Sequence, residues 1–458
     1  MLRRTLLTLP LCGIATAQTS PTQNLTEAAQ ALFAPGFPAD QPGGVLLLQR
    51  GGQAPLFRAA FGLADMVTSA PLAPEAVLRI GSITKPFTAV AILQLLQAGV
   101  LQLDDLLTRH LPGYGDEGPA VTLRQLLTHT AGLGNYTELP AFREKAQAGV
   151  STAELLTMCA QTPRVAAPGE RYLYSNTGYA LLGAVIERHS NLAYGDYLEK
   201  HIFRPLGLTD TALEGQERSA RRLVSGHGRR QADGQRTRVP QVHPSLRAAA
   251  GGLVSTVDDL ARFALGLPEL LGPARWSEMQ QPARLHDGSP APQSLGWQLR
   301  PLFDRPSLEH GGATPGFAGH LMLLPKENLV AVALTNESTG RQPGAGHLAQ
   351  QLLALALGER QEQLLIAELD PTQLAPLLGR YGPTNELARE ISLYQGRLMV
   401  QRGPSRALLE ALGPLHFVDR RRGLVHYHFE RGDPQQPQRV TALRIEREDR
   451  PTETLPRQ

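Results

Sequence analysis

Cysteine is nearly absent from this chain. Only Cys12 and Cys159 occur among the 458 residues. Cys12 lies in an N-terminal segment that we expect to be removed, and Leu11 precedes it where a lipid-attachment signal would carry a small residue. One remaining cysteine cannot form an internal disulfide, so the fold must be held by its core. Cys159 follows Leu155 and Met158 at helical spacing, which predicts a buried structural thiol rather than a nucleophile.

A basic stripe and a membrane-spanning run are also missing. The chain has 45 Lys and Arg against 42 Asp and Glu, with no dense basic cluster among aromatics, so we expect no nucleic-acid partner. The N-terminal apolar run, TLLTLPLCGI, is too short to cross a bilayer. We therefore expect no transmembrane span in the mature chain. A composition that is 42% hydrophobic and 19% charged is typical of a globular protein, here long enough for two domains.

The N-terminal segment has the three parts of a secretory signal peptide. Arg3 and Arg4 form a basic region, residues 5–14 form an apolar region, and Ala15-Thr16-Ala17 is an A-x-A cleavage site. We predict that residues 1–17 are a signal peptide cleaved near Ala17, and that the protein is exported, either periplasmic or secreted. The alternative interpretation is a short N-terminal helix of the folded protein.

The order of predicted elements indicates an α/β fold. Two strand patterns joined by a glycine turn, GGVLLLQRGG and APLFRAAFGLAD, precede a mostly helical stretch from Phe87 to Leu208. A further helix, STVDDLARFALGL, is followed by the strand patterns SLGWQLR, SLEHGG, AGHLMLLP and NLVAVALTN and by a last helix. We therefore predict one domain over residues 18–368. It would have an antiparallel sheet built from its two ends and flanked by helices, plus an all-helical lobe from its middle.

From about residue 369 the pattern changes to short alternating segments. Stretches such as REISLYQGRLMVQR, LVHYHFERG and RVTALRIERED are separated by Gly and Pro, and they predict a small antiparallel β domain over residues 369–458. His426 and His428 alternate around Tyr427 and would share one strand face. Because the sequence offers no third ligand beside them, we expect no metal site there, and we expect no other cofactor.

Lysine is scarce, and one of the few lysines stands in a notable place. The four are Lys85, Lys145, Lys200 and Lys326. In GSITKPFTA, Ser82 and Lys85 lie one turn apart at the start of a predicted helix, so their side chains share a face. A hydroxyl at a helix N-terminus can attack a carbonyl and hold the oxyanion with its own N–H. Lys can act as the base when desolvated, whereas Arg cannot. The alternative is a serine cap followed by a surface lysine.

Two further motifs occur later in the chain. Residues 174–176 read Tyr-Ser-Asn in a predicted loop just before a helix, and residues 310–312 read His-Gly-Gly at the end of a strand-like run. Tyr can act as a second proton shuttle, and Asn can both orient a lysine and bind a carbonyl. Two glycines let a substrate backbone lie against a strand edge. Each motif is weak alone, but the three together and in this order are specific.

With these motifs, the sequence resembles the serine β-lactamase and penicillin-binding-protein superfamily over roughly residues 40–360. It is most similar to the branch of class C β-lactamases, D-Ala-D-Ala carboxypeptidases, D-aminopeptidases and related esterases. The resemblance implies that Ser82 is the acylated nucleophile and that Lys85 and Tyr174 share the acid–base work, in an order that stays open. Asn176 would bind the acyl-side carbonyl. His310 would stand where many relatives place Lys or His.

The resemblance also implies the surroundings of these residues. The oxyanion hole would be the backbone N–H groups of Ser82 and Ala313, and Gly311 and Gly312 would border the substrate. His129, in LLTHTAGL, is interpreted as loop structure. The C-terminal domain resembles, more loosely, a small barrel found on some members of the superfamily.

Departures from the family pattern bear on function. The third motif is not Lys-Thr-Gly, which disfavours efficient β-lactam hydrolysis, and no Ser-Asp-Asn occurs, which argues against a class A mechanism. An α/β-hydrolase is set aside because Gly-x-Ser-x-Gly does not occur.

We predict a serine hydrolase that cleaves an amide or ester bond in a small molecule or short peptide: a D-amino-acid peptide, a β-lactam or a small ester. The alternative is a penicillin-binding sensor that is acylated with little turnover. A neutral His310 that donates one hydrogen bond would favour esters and neutral amides over carboxylates.

Overall fold

The computed structural model describes most of the chain in two compact units, one ending at Leu357 and one beginning at Gly358. The described residues are 21–114, 120–216, 223–228, 237–337, 344–359, 369, 371–384, 388–394, 396–403, 405–413, 415–419, 425–432, 439–447 and 450–458. The signal peptide predicted over residues 1–17 lies outside them, and the domain boundary at residues 368/369 stays a prediction. Within these ranges, every helix is too short or too polar to cross a bilayer.

A six-stranded antiparallel sheet forms the centre of the first unit. The strands of this unit are β1 (Gly44–Arg50), β2 (Phe57–Phe61), β3 (Leu63–Asp65), β4 (Ala70–Pro71), β5 (Leu78–Arg79), β6 (Ala212–Leu213), β7 (Leu253–Ser255), β8 (Gln298–Leu299), β9 (Leu308–Thr314), β10 (Phe317–Leu324) and β11 (Leu329–Thr335). The order across the sheet is β2-β1-β11-β10-β9-β8. Strands from the two ends of the unit are therefore neighbours, with Val45 of β1 opposite Leu334 of β11. This confirms the predicted antiparallel sheet built from both ends.

Helices pack on this sheet and form the middle of the unit. They are α1 (Pro21–Phe33), α2 (Thr84–Gln97), α3 (Leu107–His110), α4 (Leu123–Leu127), α5 (Pro140–Glu144), α6 (Thr152–Ala160), α7 (Asn176–Ser190), α8 (Tyr194–Leu198), α9 (Arg204–Leu206), α10 (Ala248–Gly251), α11 (Val257–Met279, with a kink at Gly272) and α12 (Ala345–Leu357). Side chains of β1 alternate between two cores: Val45 and Leu47 join the core of the helical middle, whereas Leu46 and Leu48 join the core of α1 and α12. Both faces of the sheet are therefore covered, which explains the continuous apolar runs of its strands.

Helix α2 is buried on almost every side. Residues 84–93 have essentially no exposed surface, and α7, α10 and α11 all pack against the helix. An interior helix needs no polar stripe, so apolar side chains occur on all sides of this one. The helix begins at Thr84, earlier than the predicted Phe87, and a 3₁₀ turn over Gly81–Ile83 leads into it. Its first turn therefore carries Lys85 into the protein interior.

Cys159 lies on α6 and has only 1% of its surface exposed. Burial raises the pKa of its thiol to about 12, so the thiol is protonated at neutral pH and unreactive. The prediction of a buried structural thiol is confirmed.

The second unit is made of antiparallel strands. They are β12 (Gly379–Tyr381), β13 (Arg389–Tyr394), β14 (Arg397–Arg402), β15 (Ser405–Leu408), β16 (Glu410–Gly413), β17 (His416–Asp419), β18 (Val425–Arg431), β19 (Val440–Arg447) and β20 (Arg450–Pro456), with a short helix, α13 (Pro371–Leu374), before them. The first four strands form one sheet and the last five form another. Tyr381, Phe417 and Phe429 belong to a core of the unit's own. The predicted antiparallel β content is confirmed.

The structure corrects the premise behind one expectation about this unit, that no third ligand lies beside the two histidines. The sequence offered no third ligand beside His426 and His428, but the structure places His416 next to both. His416 lies opposite His428 in the β17–β18 pair. Cross-strand pairing brings residues far apart in sequence onto one face, and strand alternation alone does not reveal which residues pair.

We expect the first unit to fold without the second, because each has its own core. A chain of residues 18–368 should unfold in one cooperative thermal transition. The control is a chain that stops at Gln350, which removes Leu352 and Leu353, both fully buried on α12. The control should be insoluble or lack a transition. Loss of the transition in the 18–368 chain would show that the first unit depends on the second.

Candidate active site

Ser82 lies in the 3₁₀ turn that precedes α2, and two glycines allow this turn to approach the sheet. Gly81 has φ of +52°, and a Cβ there would lie 2.7 Å from the backbone nitrogen of Ala313 on β9. A Cβ on Gly312 would lie 1.9 Å from the carbonyl oxygen of Ile80. Side chains at either position would push the turn and the strand apart. The backbone of Ala313 therefore lies directly against the turn that carries Ser82, as an oxyanion hole shared by their N–H groups requires.

Lys85 lies one turn beyond Ser82 and is completely buried. Its Nζ lies 3.2 Å from Ser82 Oγ, 2.8 Å from Asn176 Oδ1 and 2.7 Å from the carbonyl oxygen of Ala250. None of these three neighbours is charged. Burial therefore holds the pKa of Lys85 well below its usual range.

The contacts of Lys85 suit a neutral amine. Asn176 Oδ1 and the Ala250 carbonyl can only accept hydrogen bonds, so they use the two N–H groups of a neutral amine. The lone pair that remains can accept the hydroxyl proton of Ser82, whereas an ammonium group has no lone pair. A neutral Lys85 in this arrangement of acceptors would therefore direct its lone pair at the hydroxyl of Ser82.

Tyr174 contacts the same hydroxyl from the other side. Its O–H donates to Ser82 Oγ at 2.8 Å, and Lys85 Nζ lies 4.8 Å from the centre of its ring. Burial raises the pKa of Tyr174 above its usual range, so the phenol is protonated at neutral pH. Ser82 Oγ thus lies between a buried amine with a lowered pKa and a phenol with a raised pKa, and opposite shifts of this kind are typical of acid–base sites.

Tyr174 and Asn176 are held by the loop before α7 and by Asn135. Ser175 caps α7, and its side chain accepts from the backbone N–H of Gly178. Asn135 Oδ1 accepts from the Asn176 N–H at 2.6 Å, and its Nδ2 donates to the Tyr174 carbonyl at 3.2 Å. Asn135 cannot be predicted from the sequence, because nothing local to GLGNY indicates a partner about 40 residues away.

His129 contacts the same loop, the one before α7 that carries Tyr174. It follows α4 with φ of +56° and is buried. Its Nδ1 accepts from the Ser175 N–H at 3.1 Å, and its ring centre lies 4.3 Å from that of Tyr174. Burial keeps the pKa of His129 well below its usual range, so the ring is neutral. These contacts agree with the interpretation of His129 as loop structure.

The sequence predicts that His310 lies at the end of a strand. In the structure it lies inside β9. It pairs with Leu321 of β10, and the strand continues to Thr314. Burial is the main cause that lowers the pKa of His310 to about 3. Its Nδ1 lies 2.7 Å from the Gly311 carbonyl, which can only accept, so Nδ1 carries the proton. Its Nε2 is therefore an acceptor, and this buried atom has no hydrogen-bond partner among the described residues.

This changes one expectation about His310. From the sequence, the neutral ring is expected to donate one hydrogen bond to the substrate. The structure directs that hydrogen bond to Gly311 instead and leaves a lone pair at Nε2. A lone pair repels a carboxylate and attracts an N–H group.

The first two motifs thus meet at one place, with Ser82 Oγ, Lys85 Nζ, the Tyr174 hydroxyl and Asn176 Oδ1 joined by short contacts. The third motif borders them, since the ring centre of His310 lies 6.3 Å from that of Tyr174. The sequence pattern of the family described as Beta-lactamase matches residues 30–356, which is most of the chain. The chain belongs to the β-lactamase family.

Individual relatives in this family carry different names. The chain is 28% identical over 330 residues to penicillin-binding protein 4* of Bacillus subtilis, a match that covers 69% of this chain and 72% of that protein. It is 25% identical over 360 residues to a D-aminopeptidase of Gluconobacter oxydans, covering 78% of this chain and 65% of that enzyme. Its fold is similar to that of a D-stereospecific amidohydrolase from Streptomyces, with a TM-score of 0.59, 26% identity, and coverage of 74% and 99%. Together with the family match, these enzymes identify the chain as a serine hydrolase of the β-lactamase-related type.

Proposed function

We propose that this protein is an exported hydrolase that cleaves an amide or ester bond through an acyl-enzyme on Ser82. The observation that carries the proposal is the contact of Ser82 Oγ with both Lys85 Nζ and the Tyr174 hydroxyl. In the first step, neutral Lys85 takes the proton of Ser82 while Oγ attacks the substrate carbonyl. The backbone N–H groups of Ser82 and Ala313 stabilise the oxyanion that forms.

The leaving group then needs a proton. Tyr174 is protonated at neutral pH, and its hydroxyl oxygen lies 2.8 Å from Ser82 Oγ, close to where the scissile bond breaks. Tyr174 therefore donates to the departing amine or alcohol, and the proton on Lys85 replaces the one that Tyr174 gave. Water repeats the sequence in reverse to release the acid and restore Ser82.

Asn176 serves both the base and the substrate. Its Oδ1 accepts from Lys85 Nζ, which leaves its Nδ2 to donate to the acyl-side carbonyl of the substrate. Export rests on the N-terminal sequence alone, in which a basic, an apolar and an A-x-A segment follow one another over residues 3–17.

The substrate class follows from His310 and from the relatives. A neutral ring with a lone pair at Nε2 favours substrates that present an amine or amide N–H, or an ester with no charge, rather than a carboxylate. The similar Gluconobacter and Streptomyces proteins are a D-aminopeptidase and a D-stereospecific amidohydrolase. We therefore propose D-amino-acid amides or peptides with a free amine, and small esters, as substrates ahead of penicillins.

A substrate panel tests the proposed activity. Purified mature protein would be assayed on p-nitrophenyl esters, D- and L-amino-acid amides, a D-Ala-D-Ala peptide and a chromogenic cephalosporin. We expect multiple turnovers on esters and D-amino-acid amides. Stoichiometric acylation that then stops on every substrate would identify the alternative, a penicillin-binding sensor.

His310→Lys is expected to shift selectivity toward carboxylates. Lysine replaces an acceptor with a cation, so the ratio of kcat/KM for a penicillin to that for a D-amino-acid amide should rise by about tenfold, the scale of one charged contact. His201→Lys adds the same charge on the π-helical turn Glu199–Phe203, which contacts α2 at Gln94 rather than at the end near Ser82. This control should leave the ratio unchanged. If the wild type already prefers the penicillin at pH 8, His310 does not select the substrate.

A further inference from the structure

The second unit carries a cluster of three histidines that the hydrolase mechanism does not use. His416 lies on β17, and His426 and His428 lie on β18. Tyr427, between the last two, points into the core of the unit, so both histidines lie on the opposite face of the strand. His416 pairs directly with His428 and lies diagonally from His426, and all three rings are only partly buried.

The nitrogens of these rings converge. One ligand nitrogen from each histidine can be chosen so that all three lie within 4.8 Å of one another. His416 Nε2 and His426 Nδ1 are 2.8 Å apart, and the ring centres of His416 and His428 are 4.0 Å apart. Two nitrogens bound to one tetrahedral zinc at about 2.0–2.1 Å lie about 3.4 Å apart. Side-chain shifts of about 1 Å or less would therefore place all three on one ion.

A carboxylate supports one of the rings from the next strand. His428 Nε2 lies 3.2 Å from Glu446 Oε2 on β19, so Nε2 carries the proton and Nδ1 keeps its lone pair. Metal-binding histidines usually donate their second N–H to such a carboxylate, which fixes the tautomer and orients the ring. The contact between His428 and Glu446 has this form.

Two carboxylates and one guanidinium lie beside the cluster, so these three side chains carry a net negative charge. Arg444 is the nearby cation, and it is paired with both Glu430 and Glu446.

We propose that His416, His426 and His428 form a binding site for one divalent transition-metal ion, with Glu446 as the carboxylate that orients His428. Three imidazoles suit zinc, copper, nickel or cobalt rather than magnesium or calcium, which prefer oxygen ligands. The ion replaces the hydrogen bond between His416 and His426 with two metal–nitrogen bonds. It ties β17 to β18, so its effect is on the stability of the second unit and not on the acyl-enzyme chemistry.

Zinc binding to the full mature protein, without a histidine tag and treated with a chelator, tests this site. Titration calorimetry with ZnCl₂ should give one site per chain, and the thermal transition of the second unit should rise with zinc concentration. His416→Gln and His426→Gln should each weaken binding by more than about 100-fold, and Glu446→Gln by about 10–100-fold. His201→Gln, a histidine change outside the cluster, is the matched control and should bind as the wild type does.

A measurement on the wild type alone covers the case in which a variant does not fold. Cobalt bound by three imidazoles in a four-coordinate site gives intense visible absorption, whereas hydrated cobalt absorbs weakly. We expect intense bands that saturate at one equivalent and disappear when zinc is added. Weak bands, or zinc affinity that is equal in the wild type and in folded His416→Gln and His426→Gln, would overturn the proposal.

Discussion

A Ser82→Ala variant is expected to form no covalent adduct and to lose activity by about 10⁵–10⁶ in kcat, the loss seen when a serine hydrolase loses its nucleophile. A hydroxyl that is contacted by Lys85 at 3.2 Å and by Tyr174 at 2.8 Å is the group that can be deprotonated in this site. The wild type, incubated with a fluorophosphonate or a labelled penicillin, should carry the label on the peptide that contains IGSITK. Peptide mass spectrometry reads this out directly.

The control for this experiment is Ser277→Ala, an exposed serine on α11. It should label and turn over as the wild type does, since it lies outside the site. A Ser82→Ala protein with an unchanged thermal transition but no label would assign the nucleophile. Labelling of any other serine, or full activity in Ser82→Ala, would contradict the proposed mechanism.

Much of the fold could be predicted because its apolar pattern is strong. The unbroken run Val45–Leu48 is buried on both sides of the sheet, and such runs between glycine turns predict buried strands. The sequence places the start of α2 at Phe87, three residues after its true start at Thr84. The spacing of hydrophobic residues does not reveal that Pro86 lies in the first turn or that a 3₁₀ turn over Gly81–Ile83 leads into the helix. The β content of the second unit was equally clear, whereas its pairing was not, and His416 was therefore missed.

The parts of the candidate site that could be predicted from the sequence are the side chains that lie in short motifs. Ser82 and Lys85 are one turn apart on the same element, so their contact follows from helix geometry. The remaining contacts join distant parts of the chain: Asn135 holds the loop of Tyr174, and the carbonyl of Ala250 accepts from Lys85. A main-chain carbonyl has no sequence signature, and Asn135 is recognisable only once the loop is folded. The tautomer of His310 also depends on a backbone contact that only the structure supplies.

The acceptors around Lys85 decide what its replacement by arginine should do. Three uncharged groups surround Nζ in a fully buried space. Guanidinium is larger, donates in a planar fork and has no lone pair at any accessible pH. An arginine would therefore keep a positive charge beside Ser82 without being able to accept its proton. If Lys85 acted only through its charge, arginine would be the mildest replacement; if it acts as the base, arginine should be as damaging as alanine.

We expect Lys85→Arg and Lys85→Ala to lower kcat/KM by a similar factor, on the order of 10²–10⁴, the usual value of a general base. The pH dependence of kcat/KM distinguishes the loss of a general base from a structural effect of the substitution. Because burial lowers the pKa of Lys85, the wild-type kcat/KM should rise with pH as the ammonium loses its proton, at a pH well below the ordinary lysine value. The residual activity of both variants should lack this rising limb.

Lys145→Arg controls for the substitution itself, because Lys145 is a half-exposed lysine paired with Glu154. A Lys85→Arg enzyme that keeps most of its turnover, with the rising limb intact, would show that Lys85 is not the base.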